Sequence, residues 1–142
     1  MKKTRILFLC IHNSARSQMA EAYMKQLGGD KYEVESAGLE AGKLNPYAVE
    51  VMNEDGIDIS KNETNDVFEY YKEGRLYEYV ITVCDEANAA ACPIFPGVHQ
   101  KISWSFPDPS QFAGSHDERL KATRLVRDTI KNAVIDLIAK LG

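Results

Sequence analysis

The sequence has no hydrophobic run long enough to cross a membrane, and it has no excess of positive charge. Its apolar stretches are far shorter than the roughly 18 residues of a spanning helix, and residues 6–10 alone are too short for the core of a signal peptide. Because 17 Lys and Arg stand against 21 Asp and Glu, the net charge is −4, and no basic surface for nucleic acid or anionic lipid is expected. We therefore expect a soluble, cytoplasmic protein with no nucleic-acid or membrane partner.

Cysteine is also scarce. Only Cys10, Cys84 and Cys92 occur, and an odd, sparse set argues against the disulfide framework of a small secreted domain. No C-x2-C pair is present and the three histidines are scattered, so a structural zinc site is not expected. Transient thiol chemistry remains open to these cysteines.

What is present is a chain of 142 residues, 44% of them hydrophobic, which suits one domain over residues 1–142 with a complete core. The apolar period alternates between about two and about 3.6, which predicts strands alternating with helices. Strands are predicted at residues 5–9, 32–36, 77–83 and 101–104. Helices are predicted at residues 17–27, from Pro46 to before Gly56 and from near Asp117, with only weak signals for a helix within residues 61–74. This order indicates an α/β fold whose parallel sheet has helices on both faces.

Three chemically interesting segments follow predicted strands. Cys10 ends the first strand, Cys84 follows the third, and Asp108 lies between two prolines beyond the fourth. The carboxyl ends of parallel strands share one edge of a sheet, which is where such folds bind ligands. We therefore expect these side chains to meet there.

The most informative segment runs from Cys10 to Ser17, between a buried strand and a helix. Five residues separate Cys10 from Arg16, which is enough backbone for the N–H groups of a loop to surround one tetrahedral oxyanion, with further donors at the helix N-terminus. Arg16 can add a bidentate fork. Donors of this kind also favour a cysteine thiolate, the nucleophilic form. The expected anion-binding residues are Ile11, His12, Asn13, Ser14, Ala15 and Arg16.

Two side chains of this loop have a specific expected role. Asn13 can adopt the left-handed backbone conformation that lets a loop without glycine curl, and Ser17 can donate a hydrogen bond to Cys10. A plainer interpretation is a helix N-cap at Asn13–Ser14 and an ordinary first-turn serine. The two interpretations are compatible.

Together these motifs resemble a known family. The loop CIHNSARS followed by QMAE, the Ser36–Ala37–Gly38 segment, the Asn45–Pro46 helix start and the GIDIS segment at residues 56–60 are similar to low-molecular-weight tyrosine phosphatases. They are closer still to thioredoxin-coupled arsenate reductases of that fold, although His12 and Ala15 stand where those proteins often have glycine and cysteine. The resemblance implies a three-layer sandwich with a four-stranded parallel sheet in the order 2-1-3-4.

The resemblance also implies roles for individual residues. Cys10 would attack arsenate held by the loop and Arg16, Ser17 would stabilise the thiolate, and Asp108 would protonate the leaving oxygen. Cys84 would then displace arsenite and Cys92 would take over the disulfide for reduction by thioredoxin. No organic cofactor is implied. The family sometimes binds potassium beside the loop, and Asn13, Glu21, Ser36 and Asp66 stand at matching positions, although each has an ordinary hydrogen-bonding role as well.

Alternatives remain open at this point. A phosphatase acting on phosphotyrosine or another phosphorylated side chain needs only Cys10, because water hydrolyses its phosphocysteine. Against it, such phosphatases usually place adjacent aromatics just after the Asp-Pro, whereas Ser110 and Gln111 stand here. Cys84 and Cys92 could instead be a buried thiol and a loop residue, although their match to the family's positions favours the redox role, and Asp108 could belong to a plain turn. A non-enzymatic oxyanion sensor is a third possibility.

Overall fold

A parallel β-sheet forms the centre of the computed structural model, which describes residues 3–83, 95 and 97–141. Its strands are β1 (Thr4–Cys10), β2 (Tyr32–Gly38), β3 (Tyr79–Thr82) and β4 (Gln100–Ser103), in the order β2-β1-β3-β4. The predicted order and parallel pairing are confirmed. The third strand is shorter than expected, because its pairing with β1 begins only at Ile6 and Tyr79.

The described helices are α1 (Arg16–Gly28), α2 (Pro46–Glu54), α3 (Val67–Lys72) and α4 (His116–Leu141), with short 3-10 helices at Gly29–Lys31 and Pro109–Gln111. Helix α2 begins as its sequence predicts: the Asn45 side chain accepts hydrogen bonds from the amides of Tyr47 and Ala48, and Pro46 follows it. Asp66 caps α3 in the same way, through the amide of Phe68.

Both faces of the sheet are covered, and β1 shows how. Its alternate side chains Ile6, Phe8 and Cys10 join the larger core cluster, because successive residues of a strand point to opposite faces. That cluster lies beneath α1, α2 and α4. Leu7 and Leu9 join a smaller cluster on the other face, beside α3. The strand is thus buried from Ile6 to Cys10, which fixes the position of that sulfur.

Ion pairs join the end of α2 and the residue after it to α4. Asp55, just after α2, accepts a hydrogen bond from the hydroxyl of Tyr23 at 2.7 Å and one from Lys131 at 3.0 Å. These two donors hold the pKa of the Asp55 carboxyl below its usual value. Within the described part of the chain, no helix is long and apolar enough to span a membrane.

Candidate active site

The loop between β1 and α1 curls around the sulfur of Cys10. Cys10 is 2% exposed, and its Sγ accepts a hydrogen bond from the backbone N–H of Asn13 at 3.1 Å. The hydroxyl of Ser17 lies 2.9 Å from the same sulfur. Asn13 has a φ of 54°, a left-handed conformation that asparagine tolerates better than most residues. This one residue turns the loop back toward the sulfur.

The carbonyl groups of the loop all point away from its centre. Backbone amides of residues 39–45 donate hydrogen bonds of 2.9–3.1 Å to four of them, the carbonyls of Cys10, Ile11, His12 and Ser14. The Gln18 side chain donates to the fifth, the carbonyl of Asn13, at 3.0 Å. In a planar trans peptide the next N–H points opposite to the carbonyl. The amides of residues 11–15 therefore face inward, and the one at Asn13 reaches the sulfur. A ring of inward amides is an anion-binding arrangement.

Helix α1 adds to this arrangement. Its N-cap is Ala15, and no side chain caps it, so the N-cap interpretation of Asn13–Ser14 is wrong. A helix N-terminus leaves backbone N–H groups without intrahelical partners and carries a partial positive charge. The first turn of α1 is thus presented to the same space as the loop amides, where it suits a phosphate-like anion.

The side chain of Asn13 ties the loop to its surroundings. Its Nδ2 donates to the hydroxyls of Ser17 at 2.7 Å and Ser36 at 2.9 Å, and its Oδ1 accepts from the backbone N–H of Asn65 at 2.9 Å. Asn13 and Ser17 are both 0% exposed. Buried polar groups that are fully hydrogen-bonded specify one local conformation, so the loop is held in place before any ligand arrives.

Gly38 allows the second strand to approach this loop. It is the register partner of Cys10, and a Cβ added there would lie 2.6 Å from the backbone nitrogen of Asn13 and 2.7 Å from the carbonyl oxygen of Ile11. No real side chain accepts such distances. Glycine at this position is therefore a steric requirement of the loop.

Arg16 joins the loop to the segment that carries Asp108. The arginine is 4% exposed; its Nη1 donates to the carbonyl oxygen of Phe106 at 3.1 Å, and its Nη2 lies 3.5 Å from Oδ2 of Asp108. The other carboxylate oxygen accepts hydrogen bonds from the amide and hydroxyl of Ser110, both at 2.9 Å, and so starts a 3-10 turn. Asp108 is therefore a turn residue and a neighbour of Arg16 at once.

The two other cysteines, Cys84 and Cys92, lie outside the described residues. The chain just before them is described: the backbone N–H of Val83 donates to the carbonyl of Leu9 at 2.8 Å. The third strand therefore leaves the sheet beside the end of β1, one residue before Cys84.

The residues considered for potassium are held by the protein itself. Asn13 donates to Ser36, and the hydroxyl of Ser36 donates to Glu21, whose carboxylate is also paired with Lys25 at 2.6 Å. Asp66 caps α3 instead. In the described residues, no group of three or more His, Cys, Asp or Glu side chains is placed to hold a metal ion. His12 is exposed, and its Cβ lies against Gly42 on the outer side of the loop.

Sequence reasoning missed two residues of this site. Gln18 is 1% exposed, and its carboxamide contacts both Asn13 and the carbonyl of Glu63; Asn65 binds both Asn13 and Ser36. For Gln18 a signal did exist, since a neutral amide on the buried side of a helix needs a partner. The segment around Asn65 has no periodicity and gave no signal.

Comparison with known proteins identifies the family that this chain resembles. The family model of low molecular weight phosphotyrosine protein phosphatase matches residues 5–142. Curated relatives include an arsenate reductase of Shouchella clausii, 44% identical over 100% of this chain and 99% of that protein. Another is an arsenate reductase of Bacillus subtilis, 43% identical over 93% of each chain. The resemblance predicted from the sequence is confirmed.

Solved structures give the same result for the fold. An arsenate reductase in the phosphate binding state superposes with a TM-score of 0.79 at 32% identity, covering 98% of this chain and 99% of that one. The tyrosine phosphatase Wzb from Escherichia coli K30, in complex with sulphate, has a TM-score of 0.77 over 99% of this chain and 100% of its own. At 18% identity, that likeness concerns the fold alone.

Proposed function

The chain belongs to the low molecular weight phosphotyrosine protein phosphatase family, and we propose that within this family it reduces arsenate to arsenite. The observation that carries the proposal is a loop whose carbonyls, from Cys10 to Ser14, are bound on its outer side and whose Asn13 amide donates to the sulfur of Cys10. A tetrahedral oxyanion bound in that loop lies next to a cysteine, and arsenate is such an oxyanion. Relatives named arsenate reductases, one of them 44% identical over 100% of this chain, support this choice of substrate.

In the first step the Cys10 thiolate attacks arsenic. A sulfur–arsenic bond forms and an arsenic–oxygen bond breaks, with no change in oxidation state. Arg16 and the loop amides bear the charge of the oxyanion, and Ser17 stabilises the thiolate through its hydroxyl, 2.9 Å from the sulfur. Asp108, beside Arg16, supplies the proton with which the leaving oxygen departs as water.

In the second step the Cys84 thiolate attacks the sulfur of Cys10. The sulfur–arsenic bond breaks, its electron pair stays on arsenic, and arsenite leaves as a Cys10–Cys84 disulfide forms. The Cys92 thiolate then attacks Cys84, which frees Cys10 and leaves a Cys84–Cys92 disulfide. A dithiol protein of the thioredoxin class reduces that disulfide and restores the enzyme. A relative of known structure, from Corynebacterium glutamicum, is named a thioredoxin-dependent arsenate reductase.

Phosphate-ester hydrolysis is the second candidate function. The residues that this reaction would use are the same, namely Cys10 as the nucleophile, the loop around its sulfur and the carboxyl of Asp108 beside Arg16. Cys84 and Cys92 have no part in it. The two functions therefore differ in their dependence on those two cysteines.

Substitution of the cysteines tests the proposal. Arsenite production with a thioredoxin system is expected to vanish in Cys10→Ser and in Cys84→Ser, whereas hydrolysis of a phosphotyrosine peptide, if present, is expected to survive in Cys84→Ser. Peptide mapping after arsenate treatment without reductant should locate the Cys84–Cys92 disulfide. Full arsenate turnover by Cys84→Ser would overturn the cysteine relay. A wild-type protein that hydrolyses the peptide and leaves arsenate unchanged would favour the phosphatase.

A further inference from the structure

Gln18 lies in the first turn of α1, and its side chain contacts the outer side of the oxyanion loop, the segment of residues 10–15 between β1 and α1. Its Nε2 donates to the carbonyl of Asn13 at 3.0 Å and to the carbonyl of Glu63 at 3.0 Å, and its Oε1 accepts from Nδ2 of Asn62 at 3.1 Å. Two carbonyls on one side and an amide donor on the other fix the orientation of the carboxamide. Gln18 thus connects the loop to residues 62–63.

One peptide of the loop depends on this side chain. The carbonyls of Cys10, Ile11, His12 and Ser14 are bound by backbone amides of residues 39–45, which a single substitution leaves in place. For the Asn13 carbonyl, the hydrogen bond described in this structure comes from Gln18. Among the five outward carbonyls, this is the one held by a side chain.

The orientation of the peptide between Asn13 and Ser14 determines which group the loop presents to the anion. A rotation of the peptide between Asn13 and Ser14 would turn the carbonyl inward and the Ser14 N–H outward. A rotated peptide would present an oxygen to the anion in place of a donor. Binding would then lose one hydrogen bond and gain a repulsion.

We propose that Gln18 is a positioning residue for oxyanion binding: its carboxamide holds the Asn13–Ser14 peptide with the Ser14 N–H directed at the anion. The proposal rests on the proposed function in one respect, that the loop binds an oxyanion. Gln18 itself faces the back of the loop and touches no reacting atom.

Binding of inorganic phosphate to the reduced full chain tests this role without using turnover. Gln18→Met keeps the length of the side chain and removes its donors, so phosphate affinity is expected to fall by about 10- to 100-fold. Gln18→Glu is expected to bind more weakly still, because a carboxylate would face two carbonyl oxygens. Gln26→Met, at an exposed position of the same helix, is the matched control and should bind within about twofold of wild type.

Two further variants separate positioning from loss of stability. Asn62→Ala, at an exposed position, removes only the contact that orients the carboxamide; it should fold normally and weaken phosphate binding by about two- to fivefold. Ile130→Val loosens the core beneath α4 and should lower the denaturation midpoint while phosphate affinity stays unchanged. Calorimetric titration gives the affinities, and protection of Cys10 from iodoacetamide by phosphate, followed by peptide mapping, locates the site.

The outcomes distinguish this proposal from the proposed function. If wild type binds phosphate at Cys10 and both Gln18→Met and Asn62→Ala bind it equally well, the positioning role is overturned and the oxyanion loop stands. If wild type itself fails to bind phosphate, the loop is no oxyanion site, and both proposals are overturned. The positioning role is supported if phosphate binds more weakly to the Gln18 and Asn62 variants and with unchanged affinity to Gln26→Met and Ile130→Val.

Discussion

Two loops meet at the carboxyl edge of the sheet, and they are held very differently. The loop after β1 has each carbonyl from Cys10 to Ser14 in a hydrogen bond and the Asn13 side chain in five more. The loop after β4 reaches the site through Arg16, by one hydrogen bond to Phe106 and one ion pair to Asp108. Binding a tetrahedral anion requires donors that are already in place. Delivering a proton requires a carboxyl within hydrogen-bond reach of the leaving oxygen.

The largest expected effect is on arsenate turnover, and it distinguishes the role of the Cys10 sulfur from that of the loop around it. Cys10→Ser should reduce arsenate turnover by about 10⁴-fold or more, because the nucleophile is lost. Phosphate affinity should change little, since backbone amides rather than the sulfur build the loop. Arsenite assay and phosphate titration measure the two quantities on the same protein. Loss of both together would mean that the sulfur itself shapes the loop.

The next prediction concerns the loop after β4. Asp108→Asn keeps an oxygen that can accept the hydrogen bonds of Ser110 and removes the acidic proton. We expect kcat for arsenate to fall by about 10²- to 10⁴-fold with phosphate affinity nearly unchanged, as measured by steady-state kinetics and calorimetry. Ser110→Ala, which perturbs the same turn, should retain most activity. A parallel drop in phosphate affinity for Asp108→Asn would place this carboxyl in the fixed binding apparatus.

Arg16 connects the two loops, and replacing its guanidinium should affect both anion binding and the position of Asp108. Arg16→Lys keeps a positive charge and loses bidentate geometry, so kcat/KM for arsenate should fall by about 10²- to 10³-fold. Arg124→Lys, on a partly exposed arginine paired with Glu54, is the matched control and should leave kinetics unchanged. Equal activity of Arg16→Lys and wild type would show that charge alone suffices.

A smaller effect tests the rigidity of the loop after β1. Asn13→Gly and Asn13→Ala both remove the side-chain hydrogen bonds, but only glycine accepts the φ of 54° without cost. The alanine variant should therefore be less stable than the glycine variant by about 1–2 kcal/mol, measured by urea unfolding. Equal stabilities would mean that the backbone conformation at residue 13 relaxes when its side chain is removed.

The features that could be predicted depend on local sequence. The strand ending at Cys10 is an unbroken apolar run, the start of α2 is signalled by Asn45 and Pro46, and α4 by its apolar period. The hydrogen bonds that shape the site could not be predicted in this way. Asn65 is 52 residues from Asn13, and Glu63 is 45 from Gln18. Such contacts follow from the packing of whole elements, which periodicity does not describe.

The smallest expected effect lies away from both loops, at Asp55. Because Tyr23 and Lys131 hold the pKa of this carboxyl below its usual value, its charged form stabilises the fold above the unfolded-state pKa of about 4, and this contribution is lost as the pH falls through the lower folded-state value. Asp55→Asn should cost at most about 1 kcal/mol at pH 7, since the group is partly exposed. The difference from wild type should shrink in acid, as followed by urea unfolding between pH 7 and pH 3. Any change in kcat would link this surface to the two loops.

Gly38 has a consequence for the evolution of this surface. Glycine, which has no side chain, lies where β2 approaches the Cys10 loop, and even one methyl group would collide with three backbone atoms there. In a saturation-mutagenesis screen for arsenic tolerance, position 38 should be as depleted as the nucleophile itself. Substitution of Gly38 is prevented by contacts with main-chain atoms, and a second mutation elsewhere does not change those atoms.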